Sequence, residues 1–311
     1  MQNLSAQMQK FMSRRGRGAE FNRMMSAVLK DSDVQAFLKA NQAELDAHAV
    51  ERSASHLYEF CMQNAKAKRG EPTIAPGYAP QLRLNDHLID VEYVPNQQLV
   101  AETKARQQRD LVTAISMPRD IKDASLAHYD QTPERMSAIM AATDFAEGLV
   151  KAPKQFHQGM YLFGPFGVGK TFLLGAVANN LAEHGIATTM LHLPTFAVQM
   201  KAAISQGNVL GKIEQVQDAP VLMLDDIGAE SFSPWFRDEV LGVILQHRME
   251  EELPTCFSSN KSMADLTDFL AGRDAGNDEA TKAERIMQRV KFLSTEIVLN
   301  GANRREEKAK N

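Results

Sequence analysis

Cysteine is almost missing from this chain: Cys61 and Cys256 are the only two among 311 residues. Two thiols so far apart in sequence exclude a disulfide framework and point to a reducing compartment, the cytoplasm. Positive charge is also short. Thirty-five Lys and Arg face 39 Asp and Glu, for a net charge of −4, so the chain as a whole does not advertise nucleic-acid binding, and any such contact has to be local. No apolar stretch is long enough to cross a bilayer, and the N-terminus carries no signal-peptide apolar core; no membrane partner is expected. There is no internal repeat and no long low-complexity stretch. What is present is an ordinary globular composition, 44% hydrophobic and 24% charged, in a length sufficient for two domains.

One run stands out: Gly164-Pro165-Phe166-Gly167-Val168-Gly169-Lys170-Thr171. It fits the phosphate-binding P-loop pattern. The apolar Met160–Phe163 before it suits a buried strand, and Phe172–Ala178 after it suits a helix, which is the context the motif requires. The residue types follow from the chemistry. Triphosphate oxygens need several backbone N–H groups at close range, and Gly164, Gly167 and Gly169 permit the partly left-handed backbone that turns them inward. The following helix adds its positive end. Lys170 is expected to reach the β- and γ-phosphates of ATP, and the Thr171 hydroxyl to ligate Mg²⁺.

A second motif lies about 55 residues downstream. Val221-Leu222-Met223-Leu224-Asp225-Asp226 reads as a buried strand ending in two acids. A parallel strand delivers its C-terminal end to the ligand edge of a sheet. Asp225 there can hold Mg²⁺, and Asp226 can orient and deprotonate an attacking water. Asn260, at the exit of the strand Thr255–Ser258, has two roles open on spacing alone: a bond to the γ-phosphate or lytic water, or a helix cap. Arg285 and Arg289 share one face of a helix. They read either as solvated surface residues or as a cation supplied to a neighbouring subunit's γ-phosphate. Arg304 and Arg305 are similarly ambiguous. Isolated histidines such as His128, His157 and His192 lack metal-site spacing and read as ordinary core or surface residues.

The fold expected from the pattern is α/β. Residues 1–95 read as a small, mainly helical domain, with helical spacing over Ala19–Leu29, Val34–Leu38 and Leu45–Met62. A hairpin is expected from Leu82–Leu84 and Leu88–Tyr93, turning at Asn85-Asp86. Residues 96–117 read as a helical linker. Residues 118–311 alternate short apolar strands with helices, which means a parallel sheet covered on both faces. Thr132-Pro133 and Ser233-Pro234 look like helix starts, and Ser262–Asp265 like a capping box.

These residues resemble the AAA+ ATPases of the bacterial replicative helicase loader family, the DnaI/DnaC type, and most of all its DnaI branch. The likeness is carried by Tyr161–Phe172, Pro220–Ser231, Trp235, Arg237–Val240, Gln246–Met249, Leu253–Thr255, Phe257–Asn260 and Asn303–Arg305, and in the N-terminal part by Lys30–Lys39 and Ile89–Tyr93. The resemblance implies an AAA+ core without a separate lid domain. It implies Phe172 in the nucleotide site, Ile121–Tyr129 lining the adenine pocket, and Asn260 as sensor 1. Arg285 would be the trans-acting arginine finger, with Arg289 as second candidate, and Arg304 the sensor 2 arginine. It further implies an N-terminal domain that grips the hexameric replicative helicase, an ATPase domain that binds single-stranded DNA, assembly as a homo-oligomer on the helicase, and other primosome proteins as further partners. The chain departs from the branch in one respect. The N-terminal zinc site of the branch needs several cysteines and a histidine, whereas only Cys61 and His87 are at hand and His48 and His56 do not complete a set; zinc is not expected. Two other functions compete: a transposition helper ATPase, whose ATPase domain is similar, and a nucleotide-regulated adaptor without significant hydrolysis. For DNA contact the candidates are Arg14–Arg17, Lys66–Arg69 and Arg304-Arg305, with Phe172, Phe232 and Trp235 as candidate base-stacking groups.

Overall fold

Apolar spacing that alternates between periods of about 3.6 and 2 has to resolve into helices and strands, and the computed structural model shows how. It describes residues 19–115, 117, 119–230, 232–272 and 277–304. The basic run Arg14–Arg17 and Arg305 lie outside the described residues. The chain divides into two compact units, residues 1–105 and 106–311.

In the first unit, helices α1 (Ala19–Val28), α2 (Ser32–Ala40), α3 (Ala49–Arg52) and α4 (Ala54–Lys68) accompany the antiparallel hairpin β1 (Tyr78–Asn85) and β2 (Leu88–Pro95). Asp31 caps α2, its carboxylate accepting from the N–H groups of Asp33 and Val34. The core joins Met25, Val28, Leu29, Val34, Leu38, Leu57 and Phe60 to Ile89 of the hairpin. The Ile89 N–H donates to the buried Ser53 Oγ at 2.9 Å, which stitches strand to helix start. The hairpin is present as expected, but its turn is Asp86-His87, not Asn85-Asp86: Asn85 pairs with Leu88, and Asp86 and His87 take φ of 45° and 62°. Those left-handed values are the geometry that matches strand twist in a two-residue turn.

Helix α5 (Gln97–Asp110) runs through the boundary between the units. Directly after it, Val112–Ile115 forms β3, an edge strand parallel to β5. The sheet therefore starts inside the stretch read as linker. The remaining elements are α6 (Met136–Lys151), β4 (Gly159–Phe163), α7 (Lys170–Glu183), β5 (Thr188–His192), α8 (Leu193–Gln206), α9 (Val209–Gln217), β6 (Val221–Asp225), a π-helical segment Phe236–Leu241 leading into α10 (Gly242–Glu250), β7 (Thr255–Ser259), α11 (Met263–Ala271), α12 (Asn277–Leu293) and β8 (Ser294–Val298). Six strands form one sheet in the order β3-β5-β6-β7-β4-β8, with neighbouring strands parallel.

Alternate strand residues feed two cores, as a doubly covered sheet requires. Tyr161, Leu191, Leu222, Leu224 and Phe257 pack on one face with Phe196, Phe236, Ile244, Leu266 and Ile286. Met160, Leu162, Met190, Val221, Met223 and Cys256 pack on the other with Ala142, Phe145, Leu173 and Val177. The Ser262–Asp265 capping box is present at the start of α11. Among the described residues no helix is long and apolar enough to cross a membrane.

Candidate functional site

Strand β4 is fully buried up to Phe163 and then opens into the glycine loop, which ends at Gly169 as the cap of α7. Gly167 and Gly169 have φ of 77° and 104°, where a side chain is strained. Space is equally restrictive. A Cβ on Gly164 would stand 2.0 Å from the Leu299 carbonyl oxygen, and one on Gly167 would stand 1.8 Å from Asn303 Oδ1. The loop is a cradle that only glycine fits, which is the observation that suits it to phosphate.

The loop borders a cleft of about 400 Å³ lined by Phe166, Gly167, Gly169, Lys170, Thr171 and Phe172 from the loop and helix start, Asp225, Asp226, Ser258 and Asn260 from the strand ends, and Ile121, His192 and Arg304. Gly164 and Pro165 serve through their carbonyls, both accepting from Lys170 Nζ at 2.8 Å, and Val168 is buried in the core. Lys170 is itself buried and donates a third bond, 2.6 Å, to Asn260 Oδ1. Phe172 is half-buried, its ring 6.0 Å from that of Tyr129. Of the segment 121–129, Ile121 lines the cleft; Tyr129 is buried, and its hydroxyl donates to the Gly169 carbonyl at 3.4 Å.

The two acids sit where parallel strand ends deliver them. Asp225 is 3% exposed, and Thr171 Oγ1 (2.8 Å) and Ser258 Oγ (2.6 Å) both donate to its Oδ1. Burial pushes the Asp225 carboxyl above the usual carboxylate range, against the pull of those two hydroxyls. Thr171 keeps lone pairs after donating its proton, so Thr171 and Asp225 together fit a hard divalent cation that prefers oxygen ligands. Asp226 follows in left-handed backbone, φ 65°, an uncommon state for a non-glycine residue. Its N–H donates to Ser258 Oγ at 3.0 Å, and Asn260 Nδ2 donates to its Oδ1 at 3.2 Å. Asn260 therefore bridges Lys170 and Asp226. The helix that follows, α11, is capped by Ser262 instead.

Two contributors escaped the sequence reading. Ser258 is a hub between Asp225 and Asp226, yet in sequence it is one more small residue in a buried strand. His192 pairs in register with Asp225 across β5 and β6, stands 3.8 Å from Asp226 Oδ2 and is fixed through Nδ1 on Thr195 Oγ1 at 2.7 Å. A polar residue at the C-terminal end of a buried parallel strand is the signal that could have found both.

The arginines separate. Arg304 lines the cleft, and its N–H donates to the Gly167 carbonyl at 3.0 Å. Arg285 and Arg289 do not line it: Arg285 is exposed on α12, whereas Arg289 donates to the Gly242 carbonyl at 2.9 Å. In the first unit Cys61 is half-buried, with its thiol pushed up to about 11 by desolvation. His87 Nδ1 lies 2.7 Å from the Glu44 carbonyl, and no group of three or more metal-ligating side chains occurs among the described residues. Phe232 and Trp235 are partly buried against the core. Lys68 pairs with Asp33 and Arg69 with Glu71.

Comparison with known proteins agrees with this geometry. The profile of the primosomal protein DnaI N-terminus matches residues 1–93, and that of the IstB-like ATP-binding proteins matches residues 85–310. The replicative helicase loader DnaI of Bacillus subtilis is 38% identical over 288 residues, 91% of this chain and 92% of its own. A crystal structure of DnaI superposes with a TM-score of 0.55 at 39% identity, covering 64% of this chain and 99% of that one. A structure from Streptococcus pyogenes serotype M3, described as a candidate primosome component, gives 0.53 at 41%, covering 63% and 97%. With its phosphate cradle, its paired acids and a likeness that runs through both units, the chain belongs to the family of the replicative helicase loader DnaI, P-loop proteins with an AAA+ core.

Proposed function

We propose that this protein is an ATP-dependent loader of the hexameric replicative DNA helicase onto single-stranded DNA during primosome assembly. The observation that carries the reading is the extent of the likeness to a helicase loader, 91% of the chain, across a cleft that keeps Lys170, Asp225, Asp226 and Asn260 together. Residues 1–95 grip the helicase, and residues 118–311 bind ATP and DNA. Lys170 meets the β- and γ-phosphates; Asp226, aimed by Asn260 and Ser258, takes the proton from the attacking water. Thr171 and Asp225 would hold Mg²⁺, which when bound neutralises phosphate charge. Several copies assemble on the helicase, so hydrolysis depends on neighbours.

Arg285 is the better finger of the two candidates, since Arg289 is already engaged with its own subunit. Arg285→Ala is expected to lower helicase-stimulated turnover by about 100-fold or more while ATP binding stays within about twofold, as a residue acting only in the transition state requires. Weakened ATP binding with unchanged turnover would show that Arg285 is not the finger.

The competing transposition helper ATPase draws support from the IstB-like match over residues 85–310; the DnaI N-terminal match over 1–93 favours the loader. Co-purification with the replicative helicase decides. The loader reading expects capture through residues 1–95, retained in Lys170→Ala. Capture of a transposase on double-stranded DNA, without the helicase, would favour the helper. Helicase capture with no ATP turnover under any condition would favour the adaptor.

A further inference from the structure

Arg135 is buried, 1% exposed, on the short helical turn before α6, and its Nε has no hydrogen-bond partner. A buried guanidinium with an idle donor is a poor stabilising device, so its other contacts must account for it. Its NH2 group donates to the Ala302 carbonyl at 3.1 Å, and its NH1 to Asp130 Oδ2 at 2.6 Å. Gly301, φ 136°, lies directly on it: a Cβ there would stand 2.8 Å from Arg135 Nε. Arg135 thus anchors the strap of residues 299–304, which runs from β8 over the phosphate loop. Leu299 donates to the Phe163 carbonyl at 2.8 Å, Asn303 fills the space beside Gly167, and the Arg304 N–H donates to the Gly167 carbonyl.

The same group also reaches the Arg304 side chain. Asp130 Oδ2 forms an ion pair with Arg304 NH2 at 3.1 Å and one with Arg135. The Tyr129 ring lies 5.1 Å from the Arg304 guanidinium carbon and 5.9 Å from that of Arg135. Arg304 is therefore located twice by Arg135, through the strap backbone and through the shared carboxylate. Asp130, 56% exposed, is a counter-charge that a bound polyphosphate has to outbid, and ATP brings one more negative charge than ADP.

Resting on the nucleotide reading of the cleft, we propose that Arg135 is a positioning residue for discrimination between ATP and ADP: it seats Arg304 at the cleft, and Asp130 restrains the Arg304 guanidinium until triphosphate draws it away. The test is titration of the full chain with fluorescent ATP and ADP in the presence of Mg²⁺. Arg304→Ala is expected to lower the ATP/ADP affinity ratio about tenfold, a usual size for coupling between groups. Arg135→Ala is expected to lower it as far, and the double variant no further, because the two act as one unit. Asp130→Asn is expected to raise the ratio about threefold, and the rise is lost in Asp130→Asn/Arg304→Ala. Should Arg135→Ala not fold, the Asp130 pair decides alone. Additive losses, or a ratio unmoved by Asp130→Asn, overturn the proposal. If the unaltered protein takes up neither nucleotide saturably, the nucleotide reading itself fails, and this inference with it.

Discussion

Replacing Lys170 by Ala is expected to weaken ATP binding by about 100- to 1,000-fold, with the fold intact. The ammonium donates to the Gly164 and Pro165 carbonyls and to Asn260 Oδ1 at the glycine loop. With nucleotide present its natural acceptors are phosphate oxygens, and charge-assisted bonds of that kind contribute about 1.5–3 kcal/mol each. Two of them account for the expected loss at about 1.4 kcal/mol per tenfold. The first unit, with its own core of Met25, Leu57 and Ile89, shares no residue with this chemistry, so helicase capture should persist. Equilibrium titration with fluorescent ATP, alongside thermal melting, reads the result. A variant that binds ATP within tenfold of the unaltered protein would remove Lys170 from the site.

The second large effect concerns stability. Arg248 is wholly buried in α10 and donates to the carbonyls of Gln217 (2.9 Å), Ala219 (2.7 Å) and Pro254 (2.7 Å) and to Thr255 Oγ1 (2.7 Å). These acceptors flank the starts of β6 and β7, so one guanidinium ties together the two strands that carry Asp225 and Ser258. Desolvation lowers its pKa to about 9, which leaves it cationic at neutral pH. Arg248→Ala would remove four hydrogen bonds, three of them buried, and leave a cavity. Loss of one partner from a buried charged network costs about 3–5 kcal/mol, a large share of the roughly 5–15 kcal/mol that holds a domain folded. Arg248→Lys should recover only part, since an ammonium cannot span the same fork. Urea unfolding measures both; a loss below about 1 kcal/mol for Arg248→Ala would mean that water or neighbouring groups satisfy those carbonyls instead.

The parts of the molecule legible in the sequence are those governed by local rules. The glycine loop, Lys170 and Thr171 are written contiguously. Asp225 and Asp226 end a strand whose four apolar residues announce burial. The capping box at Ser262 and the proline at Thr132-Pro133 are likewise short-range signals, and both occur at helix starts. Less legible is whatever depends on a partner distant in sequence. Ser258 matters because β7 lies beside β6, and Arg135 because the chain returns over the phosphate loop more than 160 residues later, at Ala302. The edge strand β3 was hidden for a related reason: Val112–Ile115 follows a polar helix, is short, and is covered on neither side well enough to need a fully apolar run. The hairpin turn slipped by one residue because Asn85-Asp86 is as good a turn pair as Asp86-His87 until register is fixed by the strands.

The most direct test of the central claim, that the glycine cradle and the two strand-end acids converge on one metal-bound triphosphate, is a crystal structure with a non-hydrolysable ATP analogue and Mn²⁺ in place of Mg²⁺. The expected result is an anomalous peak on Thr171 Oγ1, at about 2.1 Å and next to Asp225, with the terminal phosphate between Lys170 and Asn260. A triphosphate bound elsewhere, or a metal that Thr171 and Asp225 do not hold, would contradict it.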